Sequence, residues 1–337
     1  MATINLDQLF TTTFRRVRGP MTDNLSTQNV VLASIREAGG LRVEDGGVEI
    51  QENLLYGSNS TVRAYSGYEP FDLTPQEGID AAIFQWKQLV GTVSISGIQE
   101  FKNSGKSRIK SLLETKIKQL DVSFREAVGD QLLDDGTGNG GKNLTGLDLV
   151  VEDGTAWSTV GGIDSNTYTF WRNQFIDFDS AFSTSFTTKA SGQVDVEGIR
   201  AFRRMYNLLV RGTDKPNLIL TSREVAEAYE SVGSGDRSRI MLGTSPKLLE
   251  LGFTNLFYKD VPIVWTANIG VGSTNDQDVW FLNTEYLKFV IGSGHNFAMS
   301  DFVKPIDQDA RVAHMHIYAN LTCSNRSLQG RLIDVVD

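Results

Sequence analysis

Along the 337-residue chain the hydrophobic pattern changes period several times, and each change marks an element. Between Val48 and Ser96 the order is extended: VEIQENLLYG and AAIFQWKQLVGTVSIS read as two strand-like legs joined by a polar stretch containing YGSNS, YSGYEP and LTPQEG. Within TVRAYSGYEP, Val62, Ala64 and Ser66 point one way and Arg63, Tyr65 and Gly67 the other, and neither row is apolar enough to join a core. Legs of up to ~20 residues reach roughly 65 Å at about 3.3 Å per residue. A lone two-stranded ribbon of that length is marginal in water, so the pattern predicts burial against something outside the segment.

The period then lengthens. Ile109, Leu112, Leu113, Ile117, Leu120, Phe124, Val128 and Leu132 recur every three or four residues, which predicts an amphipathic helix over about 105–134 with Gly136 as its stop. At 1.5 Å per residue it is about 45 Å long, a spine for other elements. Downstream, NLTGLDLVV reads as a buried strand, and 155–192 is Ser/Thr/Gly-rich with interspersed aromatics. A second helix is expected from about Val196 to Leu209 with Asp195 at its N-cap, and SREVAEAYESV is a third, capped by Ser222. NLILT, VPIVWT, DVWFLN, YLKFVI, RVAHMHIYANLTCSN and GRLIDV are strands. Residues 1–45 hold no sustained period and read as an arm draped on another body. The fold class is α+β, with no internal repeat.

Composition narrows the functions. A 40% hydrophobic chain of this length supports one large or two ordinary domains, and a net charge of −9 argues against a nucleic-acid surface covering the whole protein. The first thirty residues hold no apolar run of signal-peptide length and no window approaches the roughly 20 residues of a membrane span, so a soluble, unsecreted product and no membrane partner are expected. A single cysteine, Cys323, excludes an internal disulfide framework. Asn-x-Ser/Thr matches at Asn24, Asn59, Asn143, Asn320 and Asn325 are chance in a chain without a secretory signal.

Conventional chemistry is poorly supplied. GTGNGG (136–141) has the spacing of a dinucleotide loop but follows a helix and opens none, so its glycines read as a cap and a turn. His314 and His316 lie two apart on a predicted strand, a spacing that can hold zinc, but no third ligand is in view, and a hydrogen-bonded or surface pair is the expectation. His295 has no Gly-x-Ser-x-Gly elbow or cysteine partner. No enzyme activity, cofactor or metal is expected. The cluster Arg15, Arg16 and Arg18 reads as a solvated or inter-subunit basic patch.

One charge pattern asks for a partner. Residues 48–80 carry Glu49, Glu52, Glu69, Asp72, Glu77 and Asp80 against Arg63, a net −5. Residues 102–118 carry Lys102, Lys106, Arg108, Lys110, Lys116 and Lys118 against Glu114, a net +5. Two solvated faces would explain this; so would an acidic arm lying over the basic helix start of a neighbouring copy.

The ordered set of elements resembles the tailed-bacteriophage major capsid proteins with the Hong Kong 97-like fold. The residues that carry the resemblance are GYEPFDLTPQEGIDAAIFQWKQLVGTVSISG, LLDDGTGNGGKNLTGLDLVV, KPNLILTSREVAEAYE, GFTNLFYKDVPIVW and DQDARVAHMHIYANLTCSNRSLQG, together spanning nearly the whole chain. The resemblance implies an N-terminal arm (1–45), an extended β-hairpin loop (46–97), a peripheral domain with the spine helix (98–145), a mostly axial domain (146–300) and a return to the peripheral domain (301–337). It implies self-assembly into pentamers and hexamers and an icosahedral shell around double-stranded DNA contacted non-specifically, with scaffolding, portal and decoration proteins as partners. Synthesis in the host cytoplasm and residence in the virion capsid follow. An encapsulin-like compartment is the alternative on the same fold, and a carbohydrate-binding protein or enzyme using the aromatics from Trp157 to Phe178 is a rival on another.

On this reading the inter-subunit contacts are Glu49, Glu52, Arg63, Tyr65, Tyr68, Phe71, Asp72, Asp80, Phe84 and Trp86 on the loop, with Lys106, Arg108 and Lys110 on the facing helix. Some relatives weld their shells through a loop lysine; residues 48–86 here have none and Lys87 sits near the base, so a noncovalent shell is expected. No long helical N-terminal extension is visible, which implies a separate scaffolding protein if residue 1 is the true start.

Overall fold

The computed structural model describes residues 30–37, 39–102, 106–182, 197–233, 241–242, 256–266, 269 and 278–333. Expectations for residues 1–29, including the arginine cluster, and for the cap Asp195 lie outside the described residues. In chain order, a helix (Val30–Glu37) leads to β1 (Leu41–Glu44), β2 (Ile50–Leu55), β3 (Ile79–Phe84) and β4 (Lys87–Ser96). A short helix (Gly97–Lys102) and the long helix (Lys106–Leu133) follow. Next come β5 (Thr159–Val160), β6 (Ile163–Asp164) and β7 (Gln174–Asp177), then a helix (Glu197–Leu209), β8 (Leu218–Thr221) and another helix (Arg223–Gly233). The remainder is β9 (Met241–Leu242), β10 (Leu256–Tyr258), β11 (Val261–Trp265), β12 (Val279–Leu282), β13 (Leu287–Gly292), β14 (Ala298–Met299), β15 (Ala310–Cys323) and β16 (Gly330–Ile333).

Two sheets organise the body. In the first, the 14-residue β15 is flanked antiparallel by β4, from Ala310 opposite Ser96 to Ala319 opposite Lys87, and on its other side by β13 and β14. β1 adds in parallel to β13. Alternation along β15 turns Met315, Ile317, Ala319, Leu321 and Cys323 into a core beneath the long helix, whose Phe124, Val128 and Leu132 complete it. Strand and helix come close at Gly91 of β4, where an added Cβ would stand 2.6 Å from Leu120 Cδ1. The long helix ends at Leu133, and Gly136, three residues further on, takes φ +77°, the left-handed conformation that a side chain would strain.

The second sheet runs β7-β16-β12-β8-β11-β10-β9. Its central strands are buried on both faces, which is why they read as continuous apolar runs. Leu218, Leu220, Trp280 and Leu282 meet the core of the long helix, while Ile219, Val279 and Phe281 meet Phe202, Met205 and Tyr229 from the two shorter helices. Ser222 caps the helix Arg223–Gly233, its Oγ accepting from the Val225 N–H at 3.4 Å.

Three expectations change. NLTGLDLVV is no strand: Leu147–Val150 is a helical turn, and Leu144, Leu147, Val150 and Val151 fill the core at a helical spacing. Residues 30–44 are not draped elsewhere; Ile35 is fully buried in the same core and β1 pairs within the chain. The two legs pair with each other over only six residues each, because the return leg leaves β3 at Phe84 and continues as β4 beside β15. Along the C-terminal part of the chain, β13 belongs with β15 in the first sheet and β16 joins the second.

Candidate assembly interface

The hairpin β2/β3 projects from the body with its root packed and its tip bare. Ile50 faces Phe84 and Leu55 faces Ile79 across the ladder. Along β2 the burial alternates, so Ile50 and Leu54 join Ala82, Phe84, Val160, Ile163, Trp171 and Val290 in a third apolar cluster. Trp171 is anchored there by its indole N–H, which donates to the Val160 carbonyl at 2.9 Å. Tyr56, stacked on Phe170 at 4.4 Å between ring centroids, is the last residue of the outgoing leg with an aromatic partner in the body.

Beyond Tyr56, among the described residues, no part of the body covers the hairpin. Val62, Tyr65, Tyr68, Phe71 and Leu73 are all exposed, and Tyr68 is fully so. A contiguous run of exposed large apolar side chains on an otherwise acidic loop marks an interaction surface. The tip is nonetheless tied internally. Ser60 Oγ donates to Gln76 Oε1 at 2.9 Å across the two legs, Arg63 donates to the Pro70 carbonyl, and Tyr65 meets Phe71 edge to face at 5.1 Å. Asp72 Oδ1 accepts from the Thr74 hydroxyl at 2.6 Å and its N–H at 3.0 Å, and these bonds hold the carboxyl below its ordinary pKa.

The residues expected at interfaces therefore divide. Arg63, Tyr65, Tyr68, Phe71, Asp72 and Asp80 are exposed and Glu49 is half-buried. Glu52 and Phe84 are instead taken up within the chain: Glu52 Oε1 accepts from Arg42 at 2.8 Å and from the Thr322 hydroxyl at 3.0 Å, and Phe84 is 4% exposed. Their outward-pointing appearance in the sequence came from treating the whole leg as a free limb, whereas its first turns rest on the body. Trp86 packs half-buried against the third cluster, its indole N–H out of solvent without an acceptor. Lys106, Arg108 and Lys110 lie on the long helix, and their side chains fall outside the described residues.

Sequence reasoning missed the buried arginines near the C-terminus. Arg326, fully buried, donates to Glu152 Oε2 at 2.7 Å, the Val150 carbonyl at 2.7 Å and Ser165 Oγ at 2.6 Å. Arg331 donates to Asp278 Oδ2 at 2.7 Å and Asp148 Oδ1 at 2.5 Å and lies over the Trp280 ring. The sequence gives little hint of them, since Arg326 and Arg331 stand in the mixed polar and apolar stretch SNRSLQGRLI.

The histidines form a polar cluster on the far face of β15. His295 Nδ1 lies 3.0 Å from His316 Nε2 and stacks on Tyr318, while His314 Nδ1 is 3.1 Å from Thr92 Oγ1. Among the described residues no group of three or more His, Cys, Asp or Glu is arranged to hold a metal ion, and no helix is long and apolar enough to cross a membrane.

No family model and no curated protein matches the chain. Solved structures do. A cyanophage A-1(L) capsid asymmetric unit superposes with a TM-score of 0.61 at 13% identity, covering 95% of this chain and 98% of that one. The capsid of Myoviridae phage XM1 gives a TM-score of 0.58 at 11% identity, covering 98% and 99%. The chain shares their fold. The holo-SrpI encapsulin complex from Synechococcus elongatus PCC 7942 follows with a TM-score of 0.52 at 8% identity, covering 99% and 96%.

Proposed function

We propose that this chain is a major capsid protein that assembles into pentamers and hexamers and then an icosahedral shell enclosing double-stranded DNA. The observation that carries the reading is the bare hairpin tip on a body whose fold matches phage capsid subunits over nearly its full length. A hairpin with its root in the chain's own core and its aromatics in water is half an interface. Head-to-tail contacts between identical copies close into rings when the rotation permits, and many weak contacts then stabilise a shell through multivalency.

In this reading residues 46–97 act as the extended loop, 98–145 with 301–337 as a peripheral domain and 146–300 as a mostly axial one, the two sheets exchanging strands at their seam. Glu49, Asp72 and Asp80 lie over the basic start of a neighbour's long helix at Lys106, Arg108 and Lys110, where opposite charge fixes register. The hairpin is free of lysine, which supports a noncovalent shell, with scaffolding, portal and decoration proteins as further partners. The virion capsid is its location.

Sedimentation velocity of the purified protein tests this. Shell-sized particles and ring-sized intermediates are expected, and a monomer at all concentrations would overturn it. A compartment around protein cargo is the second reading, favoured by the encapsulin likeness. Nuclease-protected duplex DNA in particles made with neighbouring gene products separates the two.

A further inference from the structure

A cavity of about 260 Å³ opens beside the root of the hairpin, between Leu54–Tyr56, the turn Thr169–Arg172 and the segment Ser324–Ser327. Its lining is predominantly polar, with Leu54, Tyr56, Phe170 and Trp171 supplying the apolar and aromatic part; two guanidinium groups, Arg172 and Arg211, stand among its lining residues, and no carboxylate does. In a chain of net charge −9 this is a local reversal of sign. Arg172 donates to the carbonyls of Ser165 and Asn166 and lies over the Trp157 ring, and Arg211 donates to Ser327 Oγ at 3.0 Å. All these partners are neutral, so both cations keep their charge available. The nearby Asp214 carboxylate is bonded by the Tyr286 hydroxyl at 2.9 Å. The volume falls below the roughly 300–1,000 Å³ of small-molecule sites and suits one large side chain.

We infer that this cavity is the receptor for the hairpin tip of a second copy, with Tyr68 entering beside the Tyr56 and Phe170 rings and the Glu69 carboxylate meeting Arg211. The occupant is argued from complementarity. Tyr68 is fully exposed and Glu69 exposed beside it, and the contacts that hold the tip lie within the hairpin itself, while Glu69 offers the negative charge that the cavity lining lacks. An aromatic anchor in a pocket with a charge-assisted bond at its rim is the usual make-up of an interface hot spot. A tip seated at a neighbour's root is a head-to-tail contact, which propagates around a ring. The inference rests on the shell reading for its biological sense but has its own readout.

Full-length protein carrying Ser66→Cys and Thr169→Cys is to be oxidised and run on a non-reducing gel, with each single variant as control; native Cys323 is buried and stays silent. A ladder of inter-chain products is expected only for the double variant. Arg211→Glu should cut its yield at least tenfold, and adding Glu69→Arg should restore at least half. Shells without the ladder overturn the inference and leave the capsid reading standing. A ladder without shells supports the contact and overturns the shell. Neither ladder nor shells overturns both, and a ladder indifferent to Arg211→Glu overturns the assigned charge pair.

Discussion

Arg326 Nη2 lies 2.7 Å from Glu152 Oε2, although the two stand 174 positions apart in the chain, and both side chains are almost without water. The pair ties the turn that precedes β16 to the segment following Leu147–Val150. Removing one partner strands the other charge in a dry site. Arg326→Met should therefore cost about 3–5 kcal/mol, read by urea unfolding, whereas the double variant Arg326→Met with Glu152→Leu should recover much of that loss. Equal destabilisation of both variants would show that the carboxylate does not need its partner.

The hairpin aromatics should behave in the opposite way. Tyr65, Tyr68 and Phe71 contribute little to a single chain, since only the Tyr65–Phe71 contact is lost on substitution. The triple serine variant should keep its unfolding free energy within about 1 kcal/mol of the parent. It should need at least a tenfold higher concentration to assemble, as seen by sedimentation. A fall in monomer stability comparable to a core deletion would mean that the tip folds back.

Charge matching predicts a rescue. Reversing Glu49, Asp72 and Asp80 to lysine should impair capsomer formation, and reversing Lys106, Arg108 and Lys110 to glutamate in the same chain should partly restore it. Glu52 is excluded from the set because its carboxylate serves Arg42 and Thr322. Added salt should weaken the parent assembly, as expected for exposed charge pairs. Normal assembly by the first variant would remove the pairing.

Alkaline pH should loosen the chain through two buried acids. Burial pushes the Cys323 thiol from 9.0 to about 12 and the Tyr229 phenol from 10.0 to about 12. Both are neutral when folded, and the unfolded chain releases its protons at lower pH. Their contribution is thus complete below pH 9 and is lost as pH rises through that window towards 12. Denaturation midpoints from pH 8 to 11 should fall, and Tyr229→Phe should flatten part of the slope. The Cys323 thiol should react with disulfide reagents only on unfolding; fast labelling of the native protein would contradict its burial.

Much of the fold was legible because it is written locally. The three-and-four spacing from Ile109 to Leu132 gave the long helix, and the alternation from Arg311 to Cys323 gave β15. NLTGLDLVV misled because a four-residue apolar run is compatible with a strand or a buried turn, and only the neighbouring core decides between them. Pairing was not legible: nothing near Lys87 says that the return leg leaves Ile50 and joins β15. The interface was half readable. Bare aromatics at Tyr65, Tyr68 and Phe71 announce themselves by lacking apolar neighbours, but the cavity proposed to receive them is assembled from residues as distant as Leu54, Phe170 and Arg211, which only the tertiary structure brings together.

The central claim is that the hairpin tip is buried by another copy of the chain. Electron microscopy of the full-length protein, expressed alone and with neighbouring gene products, tests it most directly. Closed icosahedral particles with density from one subunit covering the tip at Tyr68 of the next are predicted. Compact single chains whose tip is solvated or folded onto their own body would contradict it.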